Sequence, residues 1–167
     1  MRKLSIFALA TAFSMNAFAV TVDKNNSVDV DASVDVAAPS ALSASWTKVP
    51  TLSTGLQAQG TKIGTMNVSN LDAANAGWAI YTDGSASTLS DGYTKYTFSN
   101  VDGSSITARV FDAEYAGVTY GQGTAVGTGP ITFIPSQYSS VDFKLNEAQR
   151  VNAGTYSATL SVASYNQ

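Results

Sequence analysis

The chain has 167 residues, 12 acidic and nine basic, with no cysteine and no histidine. The missing histidine excludes His-based triads, His general bases and His ligands for zinc. An acidic chain with so few basic residues has no electrostatic footprint for nucleic acid and no polybasic patch for anionic lipid.

Taken in chain order, the first residues read as an export signal. Arg2 and Lys3 form a basic head, Leu4 to Phe13 is mostly apolar, and Ala17-Phe18-Ala19 fits a small-x-small cleavage site. The apolar part is shorter than the about 20 residues that span a bilayer, so a membrane anchor is the weaker alternative. Cleavage after Ala19 leaves a length suited to one domain. It leaves seven basic residues against 12 acidic ones, a net charge of −5. Disulfides are permitted in an exported protein, yet this one must rely on packing and hydrogen bonds.

Asn26 to Val36 is the most regular stretch. Val28, Val30, Ala32, Val34 and Val36 alternate with Asp29, Asp31, Ser33 and Asp35, and Val20 and Val22 keep the same parity. Alternation without a slip puts every apolar side chain on one face of an extended strand. A shift by one residue would bury the three aspartates instead, which disfavours wrong registers. Pro39 ends the run. The valine face must lie on something, and the sequence leaves two options: another molecule, or the body of a self-contained sandwich in which this is the first strand.

Beyond Pro39, Ala41 to Trp46 alternates again, with Leu42, Ala44 and Trp46 in phase. Val49 to Gln59 is rich in Thr, Ser, Gln and Gly and is expected to be a loop. Lys62 to Val68 is a strand whose alternation falters near Gly64, and Leu71 to Gly77 is a loop. Gly77 to Thr82 is a strand ending at the turn pair Asp83-Gly84; Asp91-Gly92 and Asp102-Gly103 bracket the strand Tyr93 to Phe98. Ile106 to Phe111 follows, then a loop over Gly121 to Gly129. The remaining strands are Ile131 to Ile134, Val141 to Leu145 and Thr155 to Tyr165, the last with Tyr156, Ala158, Leu160 and Val162 on one face. Many short strands, frequent turn signals and no amphipathic helix predict an all-β sandwich or barrel.

An immunoglobulin-type sandwich needs one more strand after its sixth, and the patterned last strand ends almost flush with Gln167. The expectation is a sandwich one strand short at its end, with a surplus strand at its start.

Other motifs are better explained without chemistry. Counted from Asp29, a calcium loop would need Gly at its sixth position and Glu at its twelfth; Val34 and Ser40 stand there. Gly121 to Gly129 lacks the Gly-Lys-Ser/Thr of a phosphate loop. Asp112 and Glu114 lie two apart on an expected strand, and a carboxylate pair there is the only opening for hydrolysis. Tyr93, Tyr96, Phe98, Tyr115 and Tyr120 suit core or cross-strand packing, with a receptor surface as the lesser alternative.

Three segments resemble the cysteine-free pilins of the chaperone–usher pathway, in the class served by chaperones with a long subunit-binding loop; the plague capsule-fibre pilin and several coli surface-antigen fimbriae belong there. The segments are the alternating N-terminus running into Ala37 to Trp46, Lys62 to Val68, and Val151 to Val162. The turn Ala153-Gly154-Thr155-Tyr156 is the most specific. The resemblance implies an incomplete immunoglobulin-like β-sandwich completed by a donated N-terminal strand. It divides the chain into a signal peptide (1–19), a donor extension (20–37) and a pilin domain (38–167). It places the donor strand on Val28, Val30, Ala32, Val34 and Val36. It flanks the acceptor groove by Leu42, Ala44 and Trp46 on one side and Tyr156, Ala158, Leu160 and Val162 on the other. The implied partners are further copies in a homopolymer, a periplasmic chaperone, an outer-membrane usher and a host receptor. The implied location is the surface of a Gram-negative bacterium, and neither enzymatic activity nor a cofactor or metal is expected. The competing expectations are a monomeric secreted β-sandwich module binding carbohydrate or protein and, more remotely, a carboxylate-only hydrolase.

Overall fold

A computed structural model describes residues 41–82, 86–122 and 129–166, all within the compact unit Ala38–Gln167. The export signal, the stretch carrying Val28, Val30, Ala32, Val34 and Val36, and the Asp83-Gly84 pair lie outside the described residues. Twelve strands are described: β1 (Ser43–Lys48), β2 (Gly55–Gln57), β3 (Lys62–Ser69), β4 (Gly77–Tyr81), β5 (Ser87–Ser90), β6 (Tyr93–Ser99), β7 (Ser105–Arg109), β8 (Thr119–Gln122), β9 (Pro130–Pro135), β10 (Ser140–Leu145), β11 (Gln149–Val151) and β12 (Ser161–Tyr165). They form a six-stranded sheet in the order β1-β3-β10-β7-β6-β5, a four-stranded sheet in the order β12-β4-β9-β8, and the small pair β11-β2. Every described pairing is antiparallel. The two larger sheets pack as an all-β sandwich.

Period-two patterning builds the core. β10 buries Val141, Phe143 and Leu145 completely, β7 buries Ile106 and Ala108, and β6 buries Tyr96 and Phe98. From the opposite sheet come Trp78 and Ile80 of β4 and Ile134 of β9, each with no exposed surface. The polar tips of the large aromatics are satisfied, as burial demands. Trp78 Nε1–H donates to the Tyr138 carbonyl at 2.7 Å. Tyr96 Oη donates to the Ile80 carbonyl at 2.9 Å and lies 2.8 Å from Thr132 Oγ1, joining a β6 side chain to the facing sheet. Burial pushes the Tyr96 hydroxyl pKa upward, so it stays a neutral donor.

Two local features explain how the sequence sets the framework. Asp91 and Gly92 both take positive φ, 56° and 84°, the geometry of the two-residue hairpin turn that matches strand twist; Ser90 of β5 therefore pairs directly with Tyr93 of β6. In β3 the alternation breaks beside Gly64, as the sequence suggests: pairing with β10 shifts from Phe143 opposite Gly64 to Lys144 opposite Lys62, which turns Lys62 to the outer face with Asp142. Gly64, Met66 and Val68 are the buried set, and Gly64 takes an inward slot where a β-carbon would overlap the Trp46 indole.

The structure also corrects several expectations. β2 lies inside the expected loop Val49 to Gln59, and the expected loop from Gly121 begins inside β8. The strands β2, β5, β8 and β11 have only three or four residues each, too short for alternation to register. Asp112 and Glu114 lie on a single 3₁₀ turn, Asp112–Glu114, not on a strand. The expected strand Thr155 to Tyr165 is regular only from Ser161 onward; ahead of that point Ser157 makes one isolated bridge to Ser99.

Phe143 is fully buried and packs its ring against Trp46, Tyr96 and Phe98 at centroid distances of 5.2, 5.3 and 6.3 Å. Phe143→Ala is expected to cost about 3–5 kcal/mol, measured as a lowered urea midpoint with an unchanged slope. Gly64→Ala is expected to drive the indole from its seat, shifting tryptophan emission to the red while the fully buried Trp78 holds its own signal.

Candidate functional site

The site is a groove between two strand edges. β1 ends the six-stranded sheet and, among the described residues, pairs only with β3, Ala44 opposite Val68 and Trp46 opposite Met66. All six β1 residues are exposed, Trp46 by 38%, although the strand carries an alternating apolar face that ordinarily packs inward. β12 ends the other sheet and, among the described residues, pairs only with β4, from Ser161 opposite Tyr81 to Tyr165 opposite Gly77. Among the described residues, no backbone hydrogen bond involves Ala158, Thr159 or Leu160. Such rows of unpaired N–H and C=O groups are templates for an added strand.

The structure brings together the seven described residues that the resemblance places around a groove. Leu42, Ala44, Trp46, Tyr156, Ala158, Leu160 and Val162 all line one cavity of about 510 Å³. Met66 and Phe98 also line it. Tyr156, Ala158, Leu160 and Val162 are half-buried, the state of an apolar face covered on one side alone. The five alternating residues from Val28 to Val36 lie outside the described residues, and no contact of theirs is described.

A second cavity, of about 480 Å³, shares Trp46, Phe98 and Tyr156 with the first and continues past Pro50, Leu52 and Val151. Sequence reading missed this extension. The segments 49–54 and 151–154 lack alternation, and their apolar residues meet only through the pairing of β2 with β11. It also missed Phe98 as a lining residue, though Tyr96 and Phe98 share the inward parity of β6.

The walls are held by specific contacts. The Trp46 ring lies 5.8 Å from Phe98 and 5.2 Å from Phe143, the latter edge-on. The Tyr156 hydroxyl accepts from the Asn152 N–H at 2.9 Å and lies 3.0 Å from Ser104 Oγ. Ser104 also donates from its backbone and its hydroxyl to the Asp102 carboxylate, and these bonds hold the Asp102 carboxyl below its ordinary pKa. The reciprocal Ser99–Ser157 bonds, both 2.9 Å, fix the point where the C-terminal segment leaves the first sheet.

Among the described residues no acid or base lines the first cavity, and Lys48 is the one charged residue lining the second. Glu114 pairs with Lys144 at the surface and lines neither cavity. No cluster of three or more metal-ligating side chains occurs among the described residues. Neither Asp112 nor Glu114 lines either of these two cavities. The groove offers apolar surface and unpaired backbone, the two components of binding by strand addition.

Comparison with known proteins agrees with this geometry. Among solved structures, the chain is similar to the E. coli Hda pilus minor tip subunit HdaB (TM-score 0.57, 16% identity, covering 75% of this chain and 84% of that one). It is similar to the Salmonella SafD adhesin (TM-score 0.57, 15% identity, covering 75% and 84%) and to SefD_dscA (TM-score 0.52, 12% identity, covering 74% and 86%). At these identities the likeness is one of fold. A search of curated proteins gives no match. The family profile described as SEF14-like adhesin matches residues 2–167. The chain belongs to the SEF14-like adhesin family.

Proposed function

We propose that this chain is a structural subunit of a bacterial surface fimbria, polymerising by strand donation and mediating attachment to a host surface. The observation that carries the proposal is the open groove, where an apolar cavity lies between two strand edges that no described residue pairs. In this reading residues 1–19 direct export, and residues 20–37 of one copy fill the groove of another. Val28, Val30, Ala32, Val34 and Val36 are the inserted face. Leu42, Ala44, Trp46, Tyr156, Ala158, Leu160 and Val162 receive it. A periplasmic chaperone occupies the groove until an outer-membrane usher directs the exchange, and the fibre stands on the surface of a Gram-negative cell.

The driving forces are those of the sandwich itself. Each valine taken fully out of water contributes about 1.5–3 kcal/mol, and the inserted backbone satisfies groups along both edges. Register follows from parity, because a one-residue slip would turn Asp29, Asp31 and Asp35 into the apolar cavity. Association rests on packing and backbone bonds, with no chemical step and no cofactor.

The proposal is tested by sizing the secreted material before and after boiling. Multimers that resist detergent and collapse to single chains on heating are expected. Val30→Asp and Val34→Asp each bury a carboxylate in the groove and are expected to abolish the multimers while export continues. Deletion of residues 20–36 is expected to do the same. A truncated chain that is secreted as a stable, soluble monomer without any chaperone would favour the self-contained binding module instead.

A further inference from the structure

The outer face of the six-stranded sheet carries a transverse row of cations. Register places Lys144 of β10 opposite Lys62 of β3 on one side and opposite Arg109 of β7 on the other. The β6–β7 register, Tyr96 opposite Ala108, puts Lys95 opposite Arg109. Lys62, Lys144, Arg109 and Lys95 therefore cross four neighbouring strands side by side, over roughly 14 Å at the usual strand spacing. Like charges in directly opposed positions destabilise a sheet, so such a row needs compensation. Three members have it: Lys62 pairs with Asp142 at 2.7 Å, Lys95 with Asp91 at 3.1 Å, and Lys144 with Glu114.

Arg109 is the exception. Among the described residues no carboxylate lies within ion-pair distance of it. Its guanidinium carbon sits 3.6 Å from the centre of the Tyr93 ring and 4.0 Å from that of Phe111, so aromatic rings flank the cation. Its Nε is buried without an acceptor. A guanidinium ordered by flanking rings keeps its planar donor fork fixed at little entropic cost. The partner such a fork is shaped for is a carboxylate, held by two parallel bonds. Arg109 is half-buried, not sealed, and Tyr93 leads on to Tyr120, whose ring centre lies 6.4 Å away.

We infer that the Arg109–Tyr93–Phe111 cluster on the outer sheet face is a ligand site for a glycan bearing a single carboxylate on an otherwise neutral body. The neighbouring charges set that limit. Asp91, Asp142 and Glu114 flank the row, so a polysulfated chain or a run of acidic peptide would set further negative charges against theirs. One isolated carboxylate meets the one cation of this row that no described carboxylate pairs. Tyr93 supplies apolar surface for the body of a sugar. The site lies on the face of the sheet opposite Phe98 and the groove, so it requires no particular state of strand exchange.

The test uses the full secreted chain and 3′-sialyllactose, with lactose as the neutral control. A heparin-derived tetrasaccharide and a Glu-rich peptide serve as polyanion controls. Binding is read by saturation-transfer NMR and calorimetry. Sialyllactose is expected to bind and lactose not to. Arg109→Lys, which keeps the charge and loses the fork, is expected to weaken sialyllactose by about tenfold or more. Glu114→Gln, which removes a competing carboxylate, is expected to tighten sialyllactose and requires no change at Arg109. Failure of sialyllactose to bind the unmodified chain, equal binding by Arg109→Lys, or no gain from Glu114→Gln overturns the site. Preference for the heparin fragment or the peptide over sialyllactose overturns the ligand class.

Discussion

Two strand edges that face an apolar cavity, with no strand of the described residues between them, set the terms for the rest of this molecule. Backbone N–H and C=O groups in folded proteins find partners almost without exception. Exposed apolar edges invite pairing with whatever chain is near. β1 and the segment Ser157–Ser161 combine both conditions. Each lies at the rim of an otherwise well-packed sandwich, with Trp46, Met66 and Phe98 beneath. The interior is already complete at Phe143, Tyr96, Trp78 and Ile80, all without exposed surface. The deficiency is therefore confined to one strip of the fold, and adding a strand there needs no repacking of the centre.

The groove is rigid where it has to be. Tyr156 is tied to Asn152 and Ser104, Ser157 to Ser99, and the Trp46 indole rests in the space that Gly64 leaves open. These contacts hold both walls in place while leaving the backbone between Ser157 and Ser161 unbonded to any described residue. A preorganised acceptor loses little conformational entropy on binding. The cost of ordering then falls mainly on the incoming strand. Among the described residues of the outer face of the six-stranded sheet, Lys62, Lys95 and Lys144 each meet a carboxylate, and Arg109 rests against aromatic rings instead.

The sequence showed the architecture where patterning was long and clean. Val141, Phe143 and Leu145 announced β10 by strict alternation, and Asp91-Gly92 announced a hairpin whose φ values bear it out. The β1 positions and the four half-buried positions from Tyr156 to Val162 were legible from parity, and family resemblance assigned them to a groove. The short strands β2, β5, β8 and β11 were not legible, because three or four residues give no period and their pairing depends on distant partners. Gly64 looked like an imperfection in a strand and borders a register shift; what the sequence did not show is that it also seats an indole 18 positions earlier in the chain. The run Thr155 to Tyr165 looked uniform because side-chain parity persists even where the backbone ladder stops. Asp112 and Glu114, placed by pattern on a strand, fold into a 3₁₀ turn that delivers Glu114 to Lys144. Lys95, Arg109 and Lys144 lie far apart in the chain, and only sheet register aligns them.

The central claim is that the strip is filled by a different copy of the chain, and covalent trapping addresses it directly. The sequence has no cysteine, so the double variant Ala32→Cys with Ala158→Cys contains the only thiols available. One substitution lies on the alternating N-terminal face and the other on the groove wall. Mild oxidation of the assembled material is expected to give a ladder of disulfide-linked multimers that survives boiling and collapses with reductant. A single-chain species carrying an internal disulfide, or no cross-link at all, would contradict the account.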